Sequence, residues 1–332
     1  VAGNGYPIDT TSNACTITLP ASASVGDEIM FTDYDRTWET YSITLDSNGL
    51  NYQGRDDSWA VEYSTNGQSV HIVYMDATNG WIPISDDDVT DAPSIGNDEG
   101  LFFGGYVTSS YTGATNLVSN TGVVGTDVTG VGHARGELAG TEYGGDKGIF
   151  AFGHDNSDVS MSNLVSSSGV VASDVTGVGQ ARYGLGACGY GGDKGIFGFG
   201  AHGSVVGMTN LVSNAGVVAT DVTAVGTDRM QPAATQYGGD KGIFAFGYTA
   251  TYVSMKNLVS NAGVVATDVT GVGTARRKSA ACTYGEDKGI VGYGYTGSRV
   301  SMTNLISNAG VVATDVTGVG TARDYLSACE YG

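Results

Sequence analysis

From about residue 98 onward, short runs of alternating apolar and polar residues are separated by glycine-rich turns, and the pattern repeats. The segment NLVSN begins at Asn116 and returns as NLVSS at Asn163, NLVSN at Asn210 and Asn257, and NLISN at Asn304, each step 47 residues. DKGIF begins at Asp146, Asp193 and Asp240, with DEGLF at Asp98 and DKGIV at Asp287, and here the first step is 48. An Asp-Val-Thr segment recurs at Asp127, Asp174, Asp221, Asp268 and Asp315, and an arginine follows each aspartate eight residues later, at Arg135, Arg182, Arg229, Arg276 and Arg323. Five copies of one unit are present, and a fixed period of this length marks a stacked or ring-forming repeat.

Each copy reads as four short strands. Strand A resembles LSACEYG, strand B KGIFAFG, strand C VSMTNLVS and strand D GVVATDVT. Strand B is apolar on both sides, with Ile149 and Ala151 on one and Phe150 and Phe152 on the other. A strand of that kind belongs between packed sheets. Gly-Gly-Asp-Lys-Gly between A and B and Ser-Asn-Ala-Gly between C and D are turn sequences. No stretch carries a helical apolar period. A four-stranded unit of 47 residues has the size of a β-propeller blade. The first copy starts at strand B near Gly100 and the last ends on strand A, at residues 329–332. The C-terminal strand A would therefore complete the first blade, whereas an open stack would leave an exposed edge at each end. The prediction is an all-β chain whose residues 98–332 form a closed five-bladed propeller, with an open solenoid as the alternative.

The run GVGTARDYLSACEYG, with GGDKGIFAFGY in earlier copies, resembles a kelch repeat over residues 95–332. It departs from that family in lacking the kelch tryptophan and in showing the glycine doublet only at Gly104 and Gly105. The near-identity of the copies also resembles the kelch-like repeats of fibre proteins of marine bacteriophages.

Residues 1–84 alternate without the repeat, in ACTITLP, DEIMFTDY, YSITLDSNG and VHIVYMD, and they hold Trp38, Trp59 and Trp81. Asn48-Gly49, Asn66-Gly67 and Asn79-Gly80 are turn signals. TLPAS at 18–22, VGD at 25–27, TDY at 32–34 and NGW at 79–81 resemble a β-module near the distal ends of phage tail fibres. That resemblance implies a homotrimer. Residues 85–97 read as an acidic linker. Asp86, Asp87 and Asp88 would there be either a calcium site or a solvated hinge, and the EF-hand spacing is absent. The abrupt start VAGNGYPIDTT reads as a fragment of a longer chain.

Composition narrows the picture. The 332 residues include 53 glycines, 5 prolines, 15% charged and 41% hydrophobic residues. That is too apolar for disorder, and no apolar run is long enough for a membrane helix. The net charge is −19, which repels phosphate backbones and argues against a nucleic-acid partner. Cys188, Cys282 and Cys329 share one repeat position with Thr141 and Thr235, and Cys15 stands apart. Free thiols, or a Cys282–Cys329 bridge, fit that spacing. No metal site and no cofactor are expected, since no Cys/His cluster or phosphate-binding motif is present.

Comparison of the copies with one another locates the candidate site. The A–B and C–D turns are nearly constant. The B–C turns all differ: YVTSSYT, HDNSDVS, AHGSVVG, YTATYVS and YTGSRVS. The D–A segments differ too: RGELAGT, RYGLGAC, RMQPAAT, RRKSAAC and RDYLSAC. Because neighbouring strands alternate in direction, all the divergence falls at one end of the blades. Variable loops on a rigid scaffold carry recognition; ordinary surface loops are the alternative. The candidate binding residues are Tyr106, Tyr111, His154, Asp155, Tyr183, His202, Tyr248, Tyr252, Arg277, Lys278, Tyr295, Arg299, Asp324 and Tyr325. The fivefold aspartates and arginines are expected to satisfy turn amides and one another. No catalytic residues are expected. The function anticipated is that of a virion fibre protein, joined to other fibre or tail proteins, that binds a host cell-surface glycan or outer-membrane receptor. A lectin with five equivalent pockets, a polysaccharide depolymerase using Glu137, Asp155, Asp158, Asp228 or Asp324, and a structural decoration protein are the alternatives.

Overall fold

The computed structural model describes residues 3–59, 61–85, 99–119 and 121–329. The chain is all-β, with no helix among the described residues, and it divides into Val1–Ser94 and Ile95–Gly332. The acidic segment with Asp86, Asp87 and Asp88 lies outside the described residues.

The N-terminal unit contains Asn4–Ile8 (β1), Cys15–Thr18 (β2), Glu28–Asp33 (β3), Ile43–Asp46 (β4), Val61–Tyr63 (β5), Ser69–Asp76 (β6) and Gly80–Ser85 (β7). Two sheets result, in the orders β1-β3-β6-β7 and β2-β4-β5. The pairs β1–β3 and β2–β4 are parallel. β3 buries Ile29, Phe31 and Asp33 while Glu28, Met30 and Thr32 face out, and Ile29 and Phe31 pack with Trp38, Trp81 and Tyr52 in one core. Gly80 cannot be replaced: its φ is +68°, and a Cβ there would lie 1.7 Å from the Asn51 carbonyl oxygen.

The repeat unit contains Gly100–Val107 (β8), Ser110–Val118 (β9), Ala139–Tyr143 (β10), Lys147–Ala151 (β11), Ser162–Val165 (β12), Gly186–Tyr190 (β13), Lys194–Gly198 (β14), Ala201–His202 (β15), Ser204–Val205 (β16), Thr209–Val212 (β17), Ala233–Tyr237 (β18), Lys241–Tyr248 (β19), Tyr252–Val259 (β20), Ala280–Tyr284 (β21), Lys288–Tyr295 (β22) and Arg299–Ile306 (β23). Strands A, B and C form antiparallel sheets β10-β11-β12, β13-β14-β17, β18-β19-β20 and β21-β22-β23. The first sheet has only β8 and β9. The two-sided apolar pattern is met in β14 and β19, where Ile196, Phe197, Ile243 and Phe244 are at most 1% exposed; in β11 Ile149 and Ala151 are buried but Phe150, on the other face, is only partly buried.

Strand D differs from expectation. It forms no continuous strand; each copy touches strand C through two isolated bridges, such as Val165–Val171 and Ser162–Val175. The cause is the Asn of NLVSN. Asn163 Nδ2 donates to the Ala172 carbonyl (3.1 Å) and to Asp174 Oδ1 (2.9 Å), so a side chain occupies the middle of the ladder. Asn210, Asn257 and Asn304 do the same with Asp221, Asp268 and Asp315. Such an interruption leaves a poor template for edge-to-edge pairing.

The repeated arginines join one sheet to the next. Arg135, Arg182, Arg229 and Arg276 are fully buried. Each donates Nε to a backbone carbonyl of the sheet it leads into: Phe152 (2.8 Å), Phe199, Phe246 and Tyr293 (2.9 Å each). Each also lays its guanidinium over an aromatic ring of the preceding sheet. The distances are 4.1 Å for Arg182 over Phe152, 3.8 Å for Arg229 over Phe199 and 4.0 Å for Arg276 over Phe246. Arg323 lies 3.8 Å from the Tyr293 ring in the same way. The carbonyls are turned toward the arginines by a bulge: Phe152, Phe199, Phe246 and Tyr293 have φ of 62–64° and each is followed by a glycine. In the first copy Gly104 and Gly105 take these two places, which accounts for the isolated doublet. Burial pushes Arg182, Arg229 and Arg276 down to about 10, still charged at neutral pH. Asp221, Asp268 and Asp315 approach them at 3.7–3.9 Å.

None of the four cysteines is in a disulfide; Cys188 is buried and Cys329 exposed. The Cys282–Cys329 bridge is therefore absent, and burial pushes the Cys188 thiol up to about 12.

Arg229→Met removes the donor to the Phe246 carbonyl and the cation facing Asp268. It is expected to cost about 3–5 kcal/mol, read as a fall in the urea midpoint; a midpoint within error of the parent would contradict the joint. Acid supplies a second check. Burial raises the Asp268 pKa, but hydrogen bonds from Thr227 and Asn257 and the Arg229 charge outweigh it and hold the group below 3.8. A carboxylate depressed on folding stabilises above its unfolded pKa and loses that contribution as pH falls through the folded one. The stability gap between the parent and Asp268→Asn should thus be widest near pH 7 and close below about pH 3.8. A gap independent of pH would show that the Asp268 charge contributes nothing.

Candidate functional site

The two ends of the sheets are built differently. At one end the constant A–B turns bond to each other: the Gly144, Gly191 and Gly238 amides donate to the carbonyls of Asp193, Asp240 and Asp287, each at 2.7 Å. The C–D turns join them, with Asn214 Nδ2 3.0 Å from Asp193 Oδ2 and Asn308 Nδ2 2.8 Å from Asp287 Oδ2. Constancy here follows from this dense pairing.

At the other end each D–A segment pairs with the B–C hairpin of the sheet it enters. The bridges are Gly136–His154, Tyr183–Ala201, Met230–Tyr248 and Arg277–Tyr295. Both variable segments therefore meet, and a side chain on one lies beside a side chain on the other.

Two clusters result. In the first, Tyr106 and Tyr111 meet edge to face at 5.1 Å, Tyr111 reaches His154 at 6.1 Å, and His154 reaches Tyr183 at 5.3 Å. Asp158 joins two histidines, at 2.9 Å from His154 Nδ1 and 2.8 Å from His202 Nδ1. Asp155 binds His133 Nε2. Burial raises the Asp155 pKa, yet hydrogen bonds from His133 and Ser157 outweigh it and hold the group below the usual carboxylate range. Burial, followed by the nearby Glu137, Asp158 and Tyr325, pushes the Tyr183 phenol up.

In the second cluster Tyr248, Tyr252 and Tyr295 follow one another at 5.6 and 6.0 Å. The Arg277 guanidinium lies 4.4 Å from the Tyr248 ring centre and 5.8 Å from that of Tyr252. Lys278 Nζ is 3.9 Å from the Tyr325 ring centre and 5.7 Å from that of Tyr295. Asp324 accepts from Arg299 Nε at 2.7 Å and lies 4.0 Å from Lys278.

All fourteen candidate residues lie among the described residues; thirteen belong to one of these two contact groups, and Asp155, next to His154 in the chain, pairs with His133. Three positions were not singled out for binding by residue type. His133 and Asp158 hold the first cluster's polar groups, and Gln231 donates Nε2 to the Tyr325 hydroxyl at 3.3 Å. Gln231 was detectable by spacing alone, since it stands 47 residues before Lys278 and 94 before Tyr325. Glu137, Gly184, Gln231, Lys278 and Tyr325 form one repeat position, all with φ between 49° and 64°. Their backbones link successive copies: the Gly184 amide donates to Glu137 (2.9 Å), Gln231 to Gly184 (2.7 Å) and Tyr325 to Lys278 (3.3 Å).

Three of the five carboxylates considered for hydrolysis are engaged in these contacts: Asp155 with His133, Asp158 with His154 and His202, and Asp324 with Arg299. Among the described residues no group of three His, Cys, Asp or Glu side chains is placed to hold a metal ion. No protein-family model matches the chain, and no curated protein matches it.

Proposed function

We propose that the repeat unit is a closed five-bladed β-propeller whose variable end recognises a cell-surface receptor, and that the chain is a host-recognition protein of a phage fibre. The observation that carries the recognition reading is the split between the two ends. Five near-identical copies keep the turns at one end and diverge at the other, where the divergent residues are tyrosines, histidines and charged groups in mutual contact. Tyrosine offers rigid contact area with a polar tip, a combination suited to sugars and polar protein surfaces. The phage assignment rests on the sequence resemblance of both units.

Ring closure has its own support. Sheets packed face to face lie about 10 Å apart, so a straight stack would separate positions two copies apart by about 20 Å. Gln231 nonetheless hydrogen-bonds Tyr325, two copies on. Ser327, Ala328 and Cys329 line one cavity of about 810 Å³ together with Leu101, Phe102 and Phe103 of β8. In a closed ring that cavity would take strand A of the first blade. In this reading the N-terminal unit trimerises and presents three propellers, and the linkage multiplies a weak single contact by about 10²–10⁴.

Deleting residues 327–332 is expected to raise hydrogen exchange in β8 at least tenfold while β22 stays protected. Unchanged protection in β8 would favour the open stack. Virions whose fibre carries Tyr248→Ser and Tyr295→Ser should lose more than tenfold in host adsorption. Asn214→Ser and Asn261→Ser, at the constant end, should leave adsorption intact. Equal losses from both pairs, or none from the first, would remove the recognition face.

A further inference from the structure

The fifteen basic side chains of this chain divide by task. Arg36 and Arg55 belong to the N-terminal unit. Arg135, Arg182, Arg229, Arg276 and Arg323 stack on the repeat's aromatic rings. Lys147, Lys194, Lys241 and Lys288 each pair with the aspartate just before them. Lys256 is buried and donates to the Gly310 carbonyl at 2.8 Å. Arg277, Lys278 and Arg299 remain, and all three stand in the second aromatic cluster.

Lys278 and Arg299 share the Asp324 carboxylate, whose side chain is 9% exposed, and no carboxylate pairs with Arg277 among the described residues. The Arg277 side chain has no hydrogen bond and no ion pair among the described residues; its Nε is buried without a partner, and the guanidinium rests on Tyr248. The patch thus keeps a local excess of positive charge in a chain of net charge −19.

The scaffold does not call for these cations. At the position of Arg277 the other copies carry Gly136, Tyr183, Met230 and Asp324, and at that of Lys278 they carry Glu137, Gly184, Gln231 and Tyr325. Arg299 takes the place of Tyr111, Asp158, Val205 and Tyr252. A planar guanidinium on an aromatic ring is held ready for a carboxylate or sulfate, while a neighbouring tyrosine face suits the C–H face of a sugar ring. A positive spot on an otherwise anion-repelling surface also gives specificity, since acidic ligands are drawn to it alone.

We propose that Arg277, Lys278 and Arg299, with Tyr248, Tyr252 and Tyr295, form a subsite for an acidic saccharide. The sugar ring packs against the tyrosines, and its anionic substituent is held by Arg277 and Lys278. This deepens the reading of the variable end as a receptor-binding face and rests on it.

The test is calorimetry on the full chain with matched pairs of oligosaccharides: oligogalacturonate and its methyl ester, oligosialic acid and its methyl ester, and a sulfated galactan fragment and its desulfated form. At least one acidic member should bind tenfold or more tighter than its neutral partner. That preference should weaken with added salt, disappear in Arg277→Gln/Lys278→Gln, and survive Lys278→Arg. An unchanged thermal unfolding curve for the double variant excludes misfolding as the cause. The proposal is overturned if no acidic member outbinds its partner, or if the double variant keeps the preference. The adsorption experiment separates this failure from that of the wider reading. Adsorption lost with Tyr248→Ser and Tyr295→Ser but without acidic preference removes the acidic ligand and leaves the face.

Discussion

A buried arginine between two sheets is the interaction on which the repeat unit depends. Phe152 illustrates it. Its carbonyl accepts from Arg135, and its ring carries the guanidinium of Arg182. Phe199 does the same for Arg182 and Arg229, and Phe246 for Arg229 and Arg276. Arginines and aromatic residues thus alternate from one sheet to the next. A charge taken out of water is costly unless its hydrogen-bonding capacity is met. Here the bulge carbonyl, the loop carbonyl two residues before each arginine, and the nearby aspartate meet it together. The geometry is demanding, because the aromatic residue must accept a left-handed backbone to aim its carbonyl inward. That demand explains why the arginine, the aspartate and the following glycine hardly vary.

The same constraint separates scaffold from surface. Once the arginines fix the spacing of the sheets, the hairpins just beyond the bulge no longer contribute to it. His154, Ala201, Tyr248 and Tyr295 occupy one repeat position beyond the bulge, and a histidine, an alanine and tyrosines are all accepted there. The opposite end has no such freedom. Its turns bond directly to the turns of the neighbouring sheet, so a change in one would break a contact in the next.

Much of this was legible in the sequence. The 47-residue step gave the copies, and the two-sided apolar character of KGIFAFG marked the buried middle strand. Alternation of strand direction put the divergent segments at one end. Other features were not legible, for reasons that can be named. GVVATDVT has the composition of a strand, but a side chain of strand C competes for its carbonyls, and composition does not record that competition. The arginine was expected to pair with aspartate; its stacking on the previous sheet joins residues far apart in sequence. In the N-terminal unit the strands of ACTITLP and YSITLDSNG were visible, yet their parallel pairing was not. Hairpin turn signals describe the connection between neighbours and say nothing of longer crossovers. Within the candidate face, residue type selected the tyrosines and cations, whereas Gln231 has no distinctive chemistry and could be placed only by its repeat position.

Symmetry decides what kind of recognition this architecture favours. In most copies the repeated groups are consumed in holding the sheets together: the asparagine by strand D, the aspartates Asp174, Asp221, Asp268 and Asp315 by loop amides, and the four buried arginines by carbonyls and rings. A ligand site made from them would have to break the scaffold that presents it. Groups free to meet a ligand are therefore those that differ from copy to copy, and they fall into two unlike clusters. One is a histidine–aspartate group beside tyrosines, and the other a tyrosine row with cations in excess. Five equal pockets do not arise from such material. The proposed recognition face would then work through distinct regions, carried on sheets that the arginines hold together.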